Sequence, residues 1–591
     1  RYPGLTTQNT RDSYAFSDFR MPKDYPEFPT GPQMLAYLKS YALHFGLMPA
    51  VRLQHRIISA TPAASGGWVL NGEHQDLPFT ETFDFLVVCN GTFSEPFIPQ
   101  TGGMEDFMAA GGQVMHTSTV QSTDFRGKKV VVVQGLGFVG SVMGLVVANA
   151  LTEEYAVIGI DLPTPGSYWK IRSINEGVFP VIASDPKIEE YYQNSRKKQN
   201  YYASFDAYAY SRADVIVVDI NLDVQKKSAR NRDLEGYNVD LTPFRKAIEA
   251  IGAQCKEDVL VLVETTVPPG TAQKIVRPLL EEALTKRGLS TDKVKVGHSY
   301  ERVMPGPKYI DSIQNFYRVF AGTDEKSAEA VETFLRTVIR TDEYPLTRLG
   351  NTNATEMAKV LENSYRAMNI AFMVEWSRFA EEAGVDIYEV VNAIRMRPTH
   401  KNIMLPGLGV GGYCLTKDPL LASWARMNLF GSEEKLGQSE KGVHINDKMP
   451  VYAFDFLKAR YPGSLEGKKV LLLGVSYLND VGDTRYTPVE GFYDHLEMEG
   501  CELHLHDPHV KYWEEKDIWV NQDLDGLLED NYDIIVITTG HKDYRGNNGL
   551  IEKIKSKPAA WFYDTIGVLS SEEISSLGER HTVKVLGRGD L

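Results

Sequence analysis

The chain has 591 residues, of which 43% are hydrophobic and 24% are charged, and its formal net charge is −15. The length predicts several domains rather than one core, and the acidic balance argues against nucleic acid as a partner. Apolar runs stay well short of the roughly 18 residues that a membrane span needs, so no membrane span is predicted.

The first 127 residues differ in composition and pattern from the rest of the chain. Residues 1–32 are rich in Pro, Tyr and Asp and predict loop structure. An amphipathic helix is predicted at Gln33–Phe45, followed by a strand around Val51–Ala60. This part carries no glycine-rich phosphate loop of its own.

After this first fifth, strand-like and helix-like segments alternate. The buried strand Val130–Val133, the helical stretch Val139–Ala150 and the strand Ala156–Ile160 form a βαβ unit. A second such series begins near Lys468, and a long helix-forming region at Asn353–Ala383 lies between the two. The predicted fold class is therefore α/β, with two doubly wound Rossmann-like domains joined by a long central helical region.

The motif GLGFVG, residues 135–140, follows the first strand directly and precedes the first helix. Its glycines permit a tight turn, a close approach of pyrophosphate to the backbone, and close helix–strand packing. An acid at the end of the next strand can accept hydrogen bonds from a ribose diol and would repel a 2′-phosphate, which favours NAD over NADP. The residues predicted to bind NAD here are Gly135, Gly137, Phe138, Val139, Gly140 and Asp161.

The four cysteines, at positions 89, 255, 414 and 501, are far apart and lack the spacing of a metal site or a disulfide framework. The pattern predicts no metal and a reducing, cytoplasmic location. Cys414 stands out because it lies in the glycine-rich loop PGLGVGGYCLTKDP, residues 406–419. Lys417 is expected to favour its nucleophilic thiolate, and Asp418 is placed to orient or deprotonate a water or hydroxyl.

Two further segments are dense in polar groups. ETTVPPGT, residues 264–271, follows a strand whose carboxyl end is where ligands bind in a doubly wound sheet. Lys359 and Asn363 are four residues apart on the long helix, so they share one face and can converge on one oxygen. A solvated helix face is the alternative interpretation of the second segment.

From about residue 128 onward the chain resembles the UDP-glucose/GDP-mannose dehydrogenase family. The matching motifs are GLGFVG, ETTVPPGT, SYERVMPG, KVLENSYRAMNIAF, PGLGVGGYCLTKDP and GDTRYTP, in the family's order. The resemblance implies an NAD-binding Rossmann domain at 128–345, a central helical dimerisation domain with the cysteine loop at 346–445, and a UDP-sugar-binding Rossmann-like domain at 446–591. It also implies a homo-oligomer, a dimer or larger, formed through the central helix.

The resemblance further implies an NAD-dependent, four-electron oxidation of a UDP-sugar 6-hydroxyl with two NAD⁺. Cys414 would trap the intermediate aldehyde as a thiohemiacetal and then carry a thioester. Lys359 and Asn363 would hold the oxyanion or its water, Asp418 would activate the thiol or the water, and Glu301 and Thr266 would handle protons and water. The substrate-binding residues implied are Glu301, Lys359, Asn363, Gly411 and Arg485, and Thr266 and Lys417 are added to those that contact NAD.

The sugar stays open at this point. ERVMPG and the HKNIMLPG stretch look more like the branch that acts on UDP-N-acetylhexosamines, whereas CLTKDP looks more like the UDP-glucose branch. Leu478 stands where many relatives carry a lysine, so one nucleotide or subunit contact of the family is in question, although Arg485 is present.

Residues 1–127 resemble flavin-containing monooxygenases, in YPGLTTQNT, YAFSDF, YPEFPTG and FLVVCNGTFSEPFIP. That family's FAD-binding GxGxxG is absent from this stretch, and without such a loop the pyrophosphate contacts of FAD are lost. These residues are expected to be a partial monooxygenase-like α+β segment that exposes apolar surface. The alternatives to the dehydrogenase are an FAD- and NADPH-dependent monooxygenase, or a fusion that binds nucleotide without catalysis.

Overall fold

A computed structural model describes residue 7 and residues 10–63, 66–74, 77–87, 129–181, 184–228, 232–303 and 306–591. The chain divides into two compact units, Arg1–Lys128 and Lys129–Leu591, which are described separately. Cys89 lies outside the described residues. Of the described helices, none combines the length and the apolarity needed to cross a bilayer.

The first unit contains two α-helices and a three-stranded antiparallel sheet within its described residues. Met21 and Tyr37 are its buried large hydrophobic side chains there, whereas Leu43, Leu53 and Phe85 are exposed. The sequence predicts exposed apolar surface of this kind in the first unit. The elements are α1 (Arg11–Tyr14), α2 (Gly31–His44), β1 (His55–Pro62), β2 (Trp68–His74) and β3 (Leu77–Phe83).

The second unit begins with a sheet of eight strands among its described residues, in the order β13-β12-β11-β10-β7-β4-β5-β6. All neighbouring strands are parallel except β11 and β12. This doubly wound arrangement confirms the predicted fold, and the strand order reverses beside β4. The strands are β4 (Lys129–Gln134), β5 (Tyr155–Ile160), β6 (Tyr201–Ser204), β7 (Val215–Val218), β10 (Leu260–Val263), β11 (Lys295–His298), β12 (Val319–Gly322) and β13 (Thr347–Arg348), with a separate hairpin of β8 (Val224–Ser228) and β9 (Leu234–Val239).

Helices cover both faces of this sheet, because its central strands are apolar on both sides and buried. The helix that follows β4 begins at Phe138 with Gly137 at its N-cap, so its free N–H groups face the glycine loop. The helices are α3 (Phe138–Ala148), α4 (Pro165–Glu176), α5 (Pro186–Lys198), α6 (Thr242–Gln254), α7 (Arg277–Lys286), α8 (Tyr309–Gln314) and α9 (Glu325–Val338), with a π-helical turn at Ala272–Val276.

A 32-residue helix, α10 (Thr352–Ala383), joins the two sheets. The Asn351 side chain caps its first turn by accepting from the Ala354 N–H, and Gly384 ends it with φ +72°. The predicted domain division at 445/446 falls inside a later helix, and the division stays a prediction. The remaining central helices are α11 (Ile387–Arg395), α12 (Asp418–Asn428) and α13 (Gly437–Arg460).

The last sheet has five parallel strands within the described chain, in the order β15-β14-β18-β19-β20, and it is the predicted second Rossmann-like fold. Its strands are short and apolar, and helices bury both faces. The elements are β14 (Lys469–Leu473), α14 (Pro488–Met498), β15 (Glu502–His506), β16 (Tyr512–Trp513), β17 (Ile518–Trp519), α15 (Leu524–Leu527), β18 (Ile534–Ile537), α16 (Asn548–Lys555), β19 (Trp561–Asp564), α17 (Ser571–Gly578) and β20 (Thr582–Val585).

Candidate active site

The glycine loop between β4 and α3 has the shape that a dinucleotide requires. Gly135 has φ +101°, and a Cβ there would lie 2.4 Å from the Asp219 carbonyl oxygen. A Cβ on Gly140 would lie 1.9 Å from the Gly135 oxygen, so the loop and the helix can pack this closely only with glycine. Gly137, by contrast, has no neighbour within 4 Å of its Cβ position. That open side, bordered by Phe138 and Val139 in the first helical turn, fits a pyrophosphate.

Asp161 follows β5 and is held beside this loop. Its Oδ2 accepts a hydrogen bond from the Leu136 N–H at 3.3 Å, and its Oδ1 accepts from the Leu162 N–H at 2.8 Å. Lys170 on α4 also donates to Oδ2, at 2.8 Å. The carboxylate is therefore fixed beside the glycine loop, and its contact with a ribose stays a prediction. Lys170 was not predicted, and its only sequence signal is a position on the helix that follows the acid.

The cysteine loop brings three of the predicted residues into direct contact. Cys414 is exposed to solvent, and Asp418, four residues later, is completely buried at the start of α12. Asn363 on α10 donates to Asp418 Oδ2 at 2.6 Å, and Lys417 donates to Asp418 Oδ1 at 2.9 Å. Both carboxylate oxygens are thus occupied, which fixes the loop that carries the thiol onto the central helix.

Lys359, one turn before Asn363 on α10, lies in the same buried cluster. Its Nζ donates to the Glu301 carbonyl oxygen at 2.7 Å and lies 3.7 Å from Glu301 Oε1. Burial lowers the pKa of Lys359, but the nearby Glu301, Cys414 and Asp418 raise it and prevail. The ammonium therefore stays charged in a dry environment, where a cation interacts most strongly with an oxyanion.

The thiol of Cys414 is less acidic than the sequence leads one to expect. Although the side chain is solvent-accessible, desolvation by the surrounding protein and the Asp418 carboxylate raise its pKa. Lys359 and Lys417 lower the pKa, but by less. Lys417 does favour the thiolate, as the sequence predicts, but desolvation and the Asp418 carboxylate, with which its ammonium is paired, outweigh its effect on the thiol pKa.

Thr266 lies in the loop that follows β10 and is half-buried. The loop is held from behind by Glu356 of α10, whose carboxylate accepts from the N–H groups of Gly270 at 2.6 Å and Ala272 at 2.7 Å. Within the described residues, no hydrogen bond joins the Thr266 side chain to the Cys414 cluster. Its role toward protons and water stays a prediction.

Gly411 and Arg485 mark the place where the last sheet meets the cysteine loop. A Cβ on Gly411 would lie 2.4 Å from the Tyr477 Cβ, so this glycine permits close packing of the loop against protein. Arg485 is paired with Asp483 at 2.6 Å, and its guanidinium lies 4.4 Å from the Phe138 ring centroid. Arg485 therefore reaches from the last sheet to the first turn of the dinucleotide helix.

Sequence reasoning missed several buried charges at the ends of the NAD-binding strands. Glu264, after β10, forms an ion pair with Arg318, and both side chains are buried. Asp219, after β7, is also buried; desolvation and the Glu301 carboxylate raise its pKa, whereas Arg318 lowers it. Glu264 opens a motif that the sequence singles out, but a single sequence holds no signal that pairs it with Arg318.

One group of side chains in the described residues has donor atoms close enough together for a metal ion, namely Asp480, His509 and His541. His541 Nδ1 accepts from the Asp480 N–H at 2.9 Å, and its Nε2 lies 3.1 Å from Asp507 Oδ2. With both ring nitrogens engaged, His541 has no free lone pair for a metal. His541 thus stabilises the turn after β14 through its contacts with Asp480 and Asp507.

Comparisons with known proteins match most of the second unit. Three domains of the UDP-glucose/GDP-mannose dehydrogenase family match this chain. They are the NAD binding domain at residues 128–339, the central domain at 353–439 and the UDP binding domain at 471–571. A flavin-binding monooxygenase-like description matches residues 2–180 and overlaps the first of these over the βαβ unit.

Among curated relatives, the UDP-N-acetyl-D-mannosamine dehydrogenase of Methanocaldococcus jannaschii is 30% identical over 475 residues, covering 78% of this chain and 97% of the relative. That of Pyrococcus horikoshii is 30% identical over 437 residues, covering 71% and 91%. Among solved structures, an NDP-N-acetyl-D-galactosaminuronic acid dehydrogenase from Methanosarcina mazei is similar with a TM-score of 0.65 and 25% identity, covering 79% of this chain and 97% of that one.

Proposed function

The chain belongs to the UDP-glucose/GDP-mannose dehydrogenase family, and from this premise we propose that it oxidises the 6-hydroxyl of a UDP-hexose to a carboxylate in two steps. It is an NAD-dependent nucleotide-sugar dehydrogenase; the proposal concerns the substrate, the four-electron course and the residues that carry it out. One observation carries this proposal. Asp418, in the loop that bears Cys414, accepts a hydrogen bond from Asn363 on α10, the helix that also bears Lys359.

The residues proposed to hold NAD are the glycine loop at 135–140 and Asp161, because the loop is open at Gly137 and the acid is fixed beside it. Thr266 and Lys417 are proposed as further cofactor contacts. When bound, NAD⁺ supplies the hydride acceptor in each of the two oxidations. In the balanced reaction, an alcohol, two NAD⁺ and one water give a carboxylate, two NADH and three protons.

In the first oxidation, the hydroxyl of the sugar's C6 must lose its proton as the carbon loses a hydride. The Lys359 ammonium is proposed to stabilise the developing alkoxide, since it is charged, buried and already bonded to the Glu301 carbonyl oxygen. The Asn363 amide, one helical turn away, would orient the same oxygen. Glu301 and Thr266 are proposed to pass on the proton and to place water.

In the second oxidation, the Cys414 sulfur is proposed to add to the aldehyde carbon, which gives a thiohemiacetal. Loss of a hydride from that carbon and of the proton from its hydroxyl gives a thioester, and water then releases the acid and restores the thiol. Because desolvation and Asp418 raise the pKa of the free thiol, the sulfur is proposed to lose its proton as it attacks. Asp418 is proposed to assist this loss or to align the hydrolytic water, from the position that Asn363 and Lys417 fix.

We propose that the protein forms a homo-oligomer through α10. One side of this helix exposes large apolar side chains at mostly three- and four-residue spacing, which places them on a common face. Such a face is costly in water and is stabilised by packing against a second copy. The residues are Met357, Leu361, Tyr365, Phe372, Trp376 and Phe379.

For the sugar we propose a UDP-N-acetylhexosamine, since the two curated relatives described above are named UDP-N-acetyl-D-mannosamine dehydrogenases. The test is NADH formation from UDP-N-acetyl-D-mannosamine, UDP-N-acetyl-D-glucosamine, UDP-glucose and GDP-mannose at equal concentrations. The highest kcat/KM is expected with an N-acetylated UDP-sugar. Activity confined to UDP-glucose would contradict the proposed identity of the sugar. No NADH from any of the four substrates would contradict the proposed function.

A flavin-dependent oxygenase is the second candidate, because a flavin-binding monooxygenase-like description matches residues 2–180. The two candidates differ in bound cofactor and in oxygen use. The dehydrogenase predicts a purified protein without flavin absorbance and no NADPH-driven oxygen uptake. A near-stoichiometric flavin spectrum together with such uptake would favour the oxygenase.

A further inference from the structure

Asp219 lies where the strand order of the NAD-binding sheet reverses. It is the first residue after β7, which pairs with β4 on the side opposite to β5. The strand order reverses here, and dinucleotides bind in the crevice at the carboxyl ends of strands at such a switch point. Asp161, after β5, lies on the adenosine side of this crevice, so Asp219 lies on the side of the nicotinamide half.

The side chain of Asp219 touches the dinucleotide loop. A Cβ on Gly140 would lie 3.1 Å from the Asp219 Cβ, and one on Gly135 would lie 2.4 Å from its carbonyl oxygen. The loop's glycines therefore make room for this residue as well as for the cofactor.

Both carboxylate oxygens of Asp219 lack a hydrogen-bond partner within the described residues, although the residue is only 9% exposed. Leaving a buried carboxylate without a partner is unfavourable, and buried polar groups are nearly always hydrogen-bonded. Glu264, the buried acid after β10, also lacks a hydrogen bond but is ion-paired with Arg318, and two buried strand-end acids of the last sheet are hydrogen-bonded. Asp507 accepts from the N–H groups of Val475 and Ser476, and Asp564 accepts from four successive backbone N–H groups.

We propose that Asp219 is a cofactor-positioning residue that accepts hydrogen bonds from the hydroxyls of the nicotinamide ribose of NAD. A vicinal diol supplies two donors, which matches the two unpartnered oxygens. The contact orients the nicotinamide half of the cofactor as Asp161 orients the adenosine half. This inference rests on the dinucleotide site of the proposed function, and nothing in the sequence motifs assigns Asp219 to it.

The test compares three probes by isothermal titration calorimetry: ADP, ADP-ribose and NAD⁺. ADP lacks the second ribose, ADP-ribose has it without nicotinamide, and NAD⁺ has both. Asp219→Ala should weaken ADP-ribose and NAD⁺ by about tenfold or more, the value of a hydrogen bond to a charged group, and should leave ADP within about twofold. Asp161→Asn, the matched variant on the adenosine side, should weaken all three probes.

Asp219→Asn provides a second variant of nearly equal size. It replaces a buried carboxyl that has no hydrogen-bond partner in the described residues, so the thermal midpoint of the ligand-free protein should not fall, while ADP-ribose binding should still weaken. A purely structural role would lower the midpoint and would overturn the inference. Equal loss for ADP, or loss for NAD⁺ without loss for ADP-ribose, would overturn it too. Failure of the wild type to bind NAD⁺ would instead refute the dinucleotide site itself.

Discussion

Glu356 allows a direct measurement of how the central helix is fastened to the NAD-binding sheet. Its side chain is completely buried on α10, and its oxygens accept hydrogen bonds from the Gly270 and Ala272 N–H groups of the loop that carries Thr266. Burial raises the pKa of Glu356 to about 8, although the backbone donors lower it. Glu356→Gln keeps the size of the side chain and removes its titration.

The magnitude follows from the difference in pKa between the folded and the unfolded chain. The folded value of about 8 lies above the ordinary 4.5, so the folded state holds a proton that the unfolded state releases as the pH rises. The contribution of Glu356 to the free energy of unfolding is therefore lost as the pH rises from 4.5 to about 8. At about 1.4 kcal/mol per unit, the wild type should lose roughly 3 kcal/mol between pH 5 and pH 7 through this group.

The assay is urea unfolding of the wild type and of Glu356→Gln at pH 5, 6 and 7. Other titrating groups contribute equally to both proteins, so the difference between the two isolates Glu356. The variant should gain about 3 kcal/mol relative to the wild type over this range. Glu375→Gln, at an exposed position of the same helix, is the matched control. A difference between wild type and Glu356→Gln that does not change with pH would refute the reasoning.

Three further predictions concern the site and the assembly. Lys359→Met should lower kcat about 100-fold or more with a smaller effect on KM, since it removes a cation from the developing oxyanion; an unchanged kcat would contradict its role. Alkylation of Cys414 by iodoacetamide at about pH 8 should accelerate in Asp418→Asn, because that carboxylate raises the thiol pKa; a slower rate would contradict this electrostatic account. In sedimentation velocity, Phe372→Glu should shift the protein toward monomer, whereas Leu43→Glu, also at an exposed apolar position but in the first unit, should not.

The parts of the fold that the sequence predicts well are those specified by local patterns. The valine run of β4, the glycines at fixed offsets and the acid after β5 lie within about thirty residues, and each imposes a backbone shape or a burial pattern by itself. The same holds for α10, whose apolar spacing and flanking Asn351 and Gly384 mark both ends.

The parts that could not be predicted depend on residues far apart in the chain. The Glu356 contact with Gly270 spans 86 residues, and the unpartnered state of Asp219 is visible only once the sheet is assembled. The pKa of the Cys414 thiol is raised by desolvation and by Asp418, which outweigh Lys417, whose ammonium donates to Asp418. Charged residues that are close in the sequence therefore indicate which residues form the site, but not which of them pair with each other.

The most direct test of the proposed reaction is the ratio of NADH formed to UDP-sugar consumed, measured to completion with limiting sugar. The wild type should give two NADH per sugar and a uronic acid as the product. Cys414→Ser should lose the second oxidation and form no acid, because the thioester cannot form. One NADH per sugar from the wild type, or full acid formation by Cys414→Ser, would contradict the account.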